Sequence, residues 1–225
     1  MSKIGEERSM NRNKLLIYSY TLYRKSKIFF NFAYMKEKLK QEKLDVTNKG
    51  RSNIFNWKGQ FTPEFVEYLL SEYGSKGCIV ADPFSGSGTV LSESILKDYS
   101  CVGFELNPSA FFMSKFFEYS KLSMQERMGI IEQCSKIVKQ GLSKFDKKVP
   151  LYEEKKSYRD SFANLLNLAS FFSSVACEEH LPLLVNLLFL CEKDKKIKLI
   201  DSVIKRFDYL SKVLYSLPEP ISTVK

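Results

Sequence analysis

Two acidic residues flank a glycine-rich stretch in the middle of this 225-residue chain. Asp82 closes the apolar run 77–81, Gly86-Ser87-Gly88 follows, and Glu105 closes a second apolar run. Glycines let a backbone approach a ligand closely, and an acid ending the next strand can accept hydrogen bonds from ribose hydroxyls. Gly88 and Glu105 are 17 positions apart, near the separation of about 20 expected for such a pair. The spacing predicts a nucleoside or nucleotide site.

The elements that must position these residues follow from the apolar pattern. Residues 77–81 and 101–105 are short apolar runs typical of buried strands, and 89–98 has helical apolar spacing. Strand, helix and strand in this order form a βαβ unit, which implies a parallel sheet with a right-handed crossover. The predicted fold class is therefore α/β.

Departures from other phosphate-binding motifs narrow the ligand. A P-loop requires Gly-Lys-Ser/Thr, and here Thr89 follows Gly88 directly. A dinucleotide fingerprint requires a third glycine, and Asp82 would repel a pyrophosphate. An acid suits a ligand with an ammonium group, and S-adenosylmethionine has one, together with a sulfonium that Phe84 can flank. The loop thus favours S-adenosylmethionine.

Three motifs in one order resemble the DNA amino-methyltransferases, which methylate cytosine at N4 or adenine at N6. The stretch Asp82-Pro-Phe-Ser-Gly-Ser-Gly-Thr89 is similar to that family's cofactor motif, Glu105-Leu-Asn-Pro108 to its ribose-binding strand end, and Trp57-Lys-Gly-Gln-Phe-Thr-Pro-Glu-Phe65 to its carboxylate-binding motif. The resemblance implies a partial Rossmann-like methyltransferase core. The cofactor-binding residues that it implies are Phe61, Thr62, Asp82, Pro83, Phe84, Ser85, Gly86, Ser87, Gly88, Thr89, Glu105, Leu106 and Asn107.

The family's catalytic tetrad, Asp/Ser/Asn-Pro-Pro-aromatic, is absent, because the sequence contains no Pro-Pro dipeptide. That tetrad binds the flipped target base, so no catalytic residue is assigned here. We expect an N-terminal half: one subunit of a split restriction-modification methyltransferase, or the product of an interrupted gene. A second chain would then supply the tetrad and the target-recognition region. An RNA or small-molecule methyltransferase is a weaker alternative.

Positive charge is concentrated at the start of the chain. Residues 1–51 contain 13 Lys/Arg and 5 Asp/Glu, interleaved with aromatic residues, whereas the remainder is nearly balanced. Such a segment suits the phosphate backbone of double-stranded DNA, although a solvated basic face fits equally well. A non-catalytic remnant or interaction subunit that binds DNA through this segment is therefore the alternative function.

Three regions are predicted: a basic aromatic-rich arm with helical stretches over residues 1–52, the cofactor-binding core over 53–122, and a helical region over 123–225. Thr62 is expected to cap a helix that begins at Pro63. Ser123-Met-Gln-Glu126 is a predicted capping box that opens a helix toward Lys144. His180 is interpreted as a surface residue at a helix end. Five scattered cysteines and one histidine argue against a metal site. We expect a cytoplasmic protein, since no apolar run spans a membrane and no signal peptide is evident.

Overall fold

The computed structural model describes residues 15–19, 53–55, 57–75, 77–146, 158–194 and 197–219. Their strands are β1 (Leu15–Ser19), β2 (Ile79–Asp82) and β3 (Ser100–Glu105). Their α-helices are α1 (Pro63–Tyr73), α2 (Thr89–Leu96), α3 (Pro108–Lys115), α4 (Met124–Asp146), α5 (Tyr158–Val175), α6 (Leu181–Lys193) and α7 (Leu199–Ser216). Short 3₁₀ helices cover Phe116–Lys121 and Glu178–His180. None of these helices combines the length and the apolar character needed to cross a membrane.

The described strands form a small parallel sheet in the order β1-β3-β2. Val80 pairs with Cys101 and Asp82 with Gly103, so the predicted parallel strand-helix-strand unit is confirmed. Because the strands are parallel, Asp82 and Glu105 both lie at the carboxyl edge of the sheet. The mixed α/β class is therefore confirmed, whereas the Rossmann-like core stays a prediction.

The third strand comes from the segment that was expected to be an arm with helical stretches. Leu15 pairs with Cys101 and Ser19 with Glu105, which places β1 on the far side of β3 from β2. These residues are therefore part of the sheet. The division into regions 1–52, 53–122 and 123–225 otherwise stays a prediction.

Within the described part of the chain, the sheet is buried unevenly. Cys101 and Gly103 on β3 are buried, and both lie against Leu91 of α2. On β2, Ile79 is 61% exposed and Ala81 is exposed as well. The apolar run 77–81 was predicted to be buried, and that prediction is wrong for these alternate positions. A strand covered by helices on one face only leaves every second side chain in solvent.

The helical region packs around one apolar core beside the sheet. Its fully buried members include Leu168 on α5, Leu184 on α6 and Leu210 on α7. The predicted capping box opens α4, because Glu126 Oε2 accepts from Ser123 N at 2.7 Å while Glu126 N donates to Ser123 Oγ at 3.3 Å. These helices form one body with the sheet through contacts of α3 with α6.

Arg127 is the largest fully buried side chain of the described residues, and it joins the two ends of the helical region. Its guanidinium donates to the carbonyl oxygens of Leu214 at 3.0 Å and Leu217 at 2.5 Å. These carbonyls lie at the end of α7, where backbone oxygens lack partners within the helix. Arg127 on α4 therefore caps the carboxyl end of α7.

Candidate functional site

The glycine-rich loop leaves β2 through two tight turns. Phe84 N donates to Asp82 Oδ1 at 3.0 Å, so the Asp82 carboxylate orders the first turn. Ser85 is buried, and its N–H and hydroxyl both donate to Phe104 O, at 3.0 and 3.2 Å. The loop is thereby attached to the end of the neighbouring strand β3.

Glu105 attaches the loop to β3 a second time. Its Oε2 accepts from Gly86 N at 2.7 Å, and its Oε1 accepts from Leu106 N and Asn107 N, both at 2.8 Å. A carboxylate offers about four acceptor directions. Three are taken by backbone donors, which leaves one for an additional hydroxyl.

Two glycines have backbone conformations that favour glycine. Gly86 and Gly88 have φ of +51° and +88°. A Cβ at Gly88 would lie 2.8 Å from the Phe117 ring and 3.1 Å from Ser114 Cα. The loop therefore lies directly against α3 and the following 3₁₀ helix, and Ser114 Oγ donates to Gly86 O at 2.7 Å.

The upstream segment is hydrogen-bonded to the same loop. Ser87 Oγ donates to Gln60 Oε1 at 2.6 Å, and that oxygen also accepts from Trp57 N at 3.1 Å. Asn53 joins the two motifs, because it accepts from Thr89 Oγ1 at 2.9 Å and donates to Phe61 O at 3.0 Å. The second and third sequence motifs are thus brought to the first.

Phe61 and Thr62 stand just before α1, at the rim of this arrangement. Phe61 is exposed, with its ring 5.2 Å from that of Phe65. Thr62 precedes α1 as expected, and Pro63 and Glu64 occupy the first turn. However, the predicted side-chain cap is wrong, because Thr62 makes no cap hydrogen bond. Its hydroxyl oxygen is instead buried without a hydrogen-bond partner, which is a costly state for a polar atom.

The two acids influence each other electrostatically. Burial raises the pKa of Asp82 above its usual range, the Phe84 N–H opposes that shift, and the nearby negative charge of Glu105 adds to it. Another anion or an apolar group beside Asp82 would raise the pKa of Asp82 further, whereas a cation would lower it. The carboxyl edge of β2 and β3 is therefore electrostatically suited to a positively charged group.

The apolar and proline residues that follow these acids in the chain are exposed. Phe84 is 85% exposed, and Leu106 and Pro83 are exposed as well. Asn107 has a structural role, since its side-chain oxygen accepts from Ser109 N at 2.9 Å and caps α3. The predicted site residues thus divide into those that build the loop and those that present a surface.

Residues that support the loop were not all recognised in the sequence. Asn53 is not among the predicted site residues, and Trp57 is recognised only as the start of the upstream motif. In the structure Asn53 is hydrogen-bonded to the loop, and Trp57 lies against Gly86. Gln60 lies inside the upstream motif 57–65, but the sequence did not predict that its side chain binds the loop. Ser114 on α3 had no sequence signal, because its bond to Gly86 O spans 28 residues.

Two further predictions have different outcomes. His180 was expected at the surface, but it is only 7% exposed, because α4 packs against its 3₁₀ turn. That prediction is wrong. The basic segment 1–51 lies outside the described residues except for β1, so its DNA contact stays a prediction.

Comparisons with known proteins agree with the motif analysis. The family model described as DNA methylase, for N6 and N4 methyltransferases, matches residues 7–116. The Type II methyltransferase M.MjaII of Methanocaldococcus jannaschii is 38% identical over 55 residues, which is 24% of this chain and 10% of that protein. The matched stretch therefore spans about a tenth of the relative's length. No solved structure matches the chain. Residues 7–116 are thus similar to the DNA methylase family, in agreement with the resemblance that the three motifs carry.

Proposed function

We propose that this chain binds S-adenosylmethionine at the loop 82–89 and is the cofactor-binding part of a DNA methyltransferase. The observation that supports this most is the pair of acids at one sheet edge. Asp82 and Glu105 end adjacent parallel strands, on either side of a loop whose glycines have positive φ. A ligand with cationic and hydroxyl groups suits that pair.

The residues present fit this cofactor at four points. Asp82, whose pKa is raised by burial and by Glu105, would gain from an ammonium group. Glu105 has one acceptor direction left for a ribose hydroxyl. The buried and unpartnered hydroxyl of Thr62 would gain a partner from the carboxylate of the methionine moiety. The exposed ring of Phe84 is available to the sulfonium.

When bound, S-adenosylmethionine supplies an electrophilic methyl group for transfer to a nucleophilic amino nitrogen. This chain's residues would hold and orient the cofactor, and we propose that the acceptor is the exocyclic amino group of cytosine (N4) or adenine (N6) in double-stranded DNA. The 225 residues contain no Pro-Pro tetrad to hold the flipped base. The groups that bind the base are therefore proposed to come from outside these residues, in the same polypeptide or in a partner chain.

The exposed face of the sheet supports the proposal that the base-binding groups come from outside these residues. Ile79 is 61% exposed and Ala81 is exposed, and within the described residues no helix covers them. Exposed apolar side chains that belong to one sheet face are typical of a surface covered in the assembled protein. The missing base-binding part is proposed to pack here.

Filter binding of radiolabelled S-adenosylmethionine tests the cofactor site. Asp82→Asn and Glu105→Gln each remove one charge with little change of shape, and each is expected to weaken binding by at least tenfold. Glu192→Gln, the same kind of change on the exposed side of α6, is the matched control and should bind as the unmodified chain does. Equal binding by all four proteins, or binding by none even beside a chain that supplies the tetrad, would exclude the proposal.

The alternative, a non-catalytic DNA-binding subunit, rests on the charge of residues 1–51, with 13 basic against 5 acidic residues. It predicts salt-sensitive binding to duplex DNA that Asp82→Asn leaves unchanged. Fluorescence anisotropy with a labelled duplex measures that affinity. If a labelled methyl group is transferred to DNA when a chain with the tetrad is added, the methyltransferase function is supported and the non-catalytic alternative is excluded.

A further inference from the structure

A thiol and an imidazole meet at the turn that precedes α6, away from the glycine-rich loop. Cys177 Sγ lies 3.2 Å from His180 Nδ1. Cys177 is exposed, whereas His180 is 7% exposed. A small reagent can therefore reach the sulfur while the imidazole behind it is shielded.

The other ring nitrogen is held by an amide from α4. His180 Nε2 lies 2.7 Å from Gln133 Oε1. A carbonyl oxygen accepts and does not donate, so it selects the tautomer with the proton on Nε2. The lone pair of Nδ1 then faces Cys177, and the imidazole is oriented to accept the thiol proton.

The backbone around the pair is fixed by three further hydrogen bonds. His180 N donates to Cys177 O at 3.0 Å, which closes the 3₁₀ turn. Tyr119 OH donates to Glu179 O at 2.6 Å and accepts from Leu183 N at 3.2 Å, and so joins the turn to the start of α6. The short Sγ–Nδ1 distance therefore belongs to a braced turn.

The ionisable groups near the pair come from every element packed on it. Glu178 and Glu179 belong to the turn itself, and Lys115 on α3 pairs with Glu178 at 3.6 Å. Burial raises the pKa of Tyr119 far above its usual value and that of Cys134 on α4 to about 12. These two buried groups stay neutral at physiological pH. The basic atom in contact with the thiol is His180 Nδ1, at 3.2 Å from the sulfur.

The other cysteines lack this arrangement. His180 is the one histidine of the sequence, so no other thiol can have an imidazole partner. Burial also raises the pKa of Cys101, Cys134 and Cys191, to about 12, 12 and 11. Buried thiols of that kind are chemically inert. Cys78, which is partly exposed, is the natural internal reference.

We propose that Cys177 and His180 form a nucleophilic thiol–imidazole pair, which makes Cys177 a selective modification site for soft carbon electrophiles. Such activation of a thiol by an adjacent base is general chemistry. In the reaction with an alkyl halide, the sulfur forms a bond to carbon and the halide leaves with the electrons of the broken bond. The thiol proton moves to His180 Nδ1. Gln133 is a positioning residue, because it acts on the sulfur only through the ring.

The test is the rate of iodoacetamide labelling of each cysteine in the native chain, measured by quantitative mass spectrometry of its peptides. Cys177 should react at least about tenfold faster than Cys78 at neutral pH. In urea the two should react within about twofold of each other, because the pair no longer exists. A native ratio near one would overturn the proposal without any variant.

Two sets of variants separate activation from mere exposure. His180→Gln should bring the Cys177 rate to within about threefold of Cys78. Gln133→Met, which removes the acceptor for Nε2–H, should slow Cys177 several-fold, and Gln133→Glu should restore the rate. Circular dichroism checks that each variant is folded. Full Cys177 reactivity in folded His180→Gln would show that exposure alone controls the rate, and would overturn the proposal.

Discussion

Replacing Gly88 with alanine adds one methyl group where the loop enters α2. Gly88 has φ of +88°, a conformation that costs an L-residue roughly 1–2 kcal/mol. The new Cβ would lie 2.8 Å from the Phe117 ring and 3.1 Å from Ser114 Cα. Phe117 is 2% exposed, and its ring packs edge-on against those of Phe55 and Phe116, with centroids 6.3 and 6.1 Å away, so a shift of the ring would disturb these contacts. Overpacking of this kind costs about 1–3 kcal/mol.

The free energy of unfolding should therefore fall by about 2–5 kcal/mol in Gly88→Ala. Gly59→Ala is the matched control, because Gly59 has φ of +79° and nothing within 4 Å of its Cβ position. It carries the backbone cost alone, about 1–2 kcal/mol. The difference between the two variants isolates the contact between the loop and Phe117.

Urea denaturation followed by circular dichroism measures both values. We expect Gly88→Ala to be less stable than Gly59→Ala by about 1–3 kcal/mol. The folded fraction of Gly88→Ala should also bind S-adenosylmethionine more weakly, since the loop must shift. Equal losses of stability in the two variants would refute the close packing of the loop on Phe117.

Three further predictions concern the helical region and use the same denaturation assay. Arg127→Met should lower the free energy of unfolding by about 3 kcal/mol, because buried carbonyls at the end of α7 lose a charged donor. A loss below about 0.5 kcal/mol would contradict the role of Arg127 as the cap of α7. Asp194 accepts from Arg206 at 2.7 and 2.6 Å, and this bond holds its pKa below the usual range. The stabilisation that the Asp194 carboxylate provides is therefore present above the unfolded-state pKa of about 3.9 and disappears as the pH falls through the lower folded-state pKa. Asp194→Asn should thus destabilise the protein at neutral pH and make little difference in strong acid. A loss of stability that does not depend on pH would contradict this linkage. Gly129→Ala, within α4 and with open space at its Cβ position, should stabilise by about 0.5–1 kcal/mol, and a loss of stability would show that this face is packed.

The strand-helix-strand unit could be predicted because its evidence is local. Apolar runs end at Asp82 and Glu105, and glycines punctuate the sequence between them. Local rules also predicted the capping box at Ser123 and Glu126, which the structure confirms. Within these segments, residue type and short spacing decide the conformation.

Features that depend on distant packing could not be predicted in this way. β1 pairs with β3 across more than 80 residues. Residues 15–18 are a short apolar run within a basic, aromatic-rich segment, but nothing local to them identifies β3 as their partner. Ile79 is exposed because no described helix covers its face of the sheet, which an apolar run alone does not reveal. His180 is buried because α4 crosses the turn in which it lies.

In the candidate site, too, local features could be predicted from the sequence, whereas contacts with distant residues could not. The loop and its two acids follow from motif spacing, and the structure places both acids at one sheet edge. The supports from Asn53, Gln60 and Ser114 are tertiary contacts made by residue types common in loops and helices. Thr62 has a residue type suited to capping, yet its hydroxyl makes no cap hydrogen bond and lacks a partner.

Asp82 links cofactor binding to protons, and this linkage tests the central claim most directly. Its folded-state pKa is raised by burial and by Glu105, so at a pH near that value part of the free protein has Asp82 protonated. A cation bound beside the carboxyl would lower the pKa again and release the proton. Isothermal titration calorimetry of the chain with S-adenosylmethionine, in two buffers with different heats of ionisation, counts protons released per cofactor bound. We expect net release in the unmodified chain and none in Asp82→Asn, with weaker binding. Binding without proton release, or equal affinity and release in Asp82→Asn, would contradict the placement of the cofactor beside Asp82.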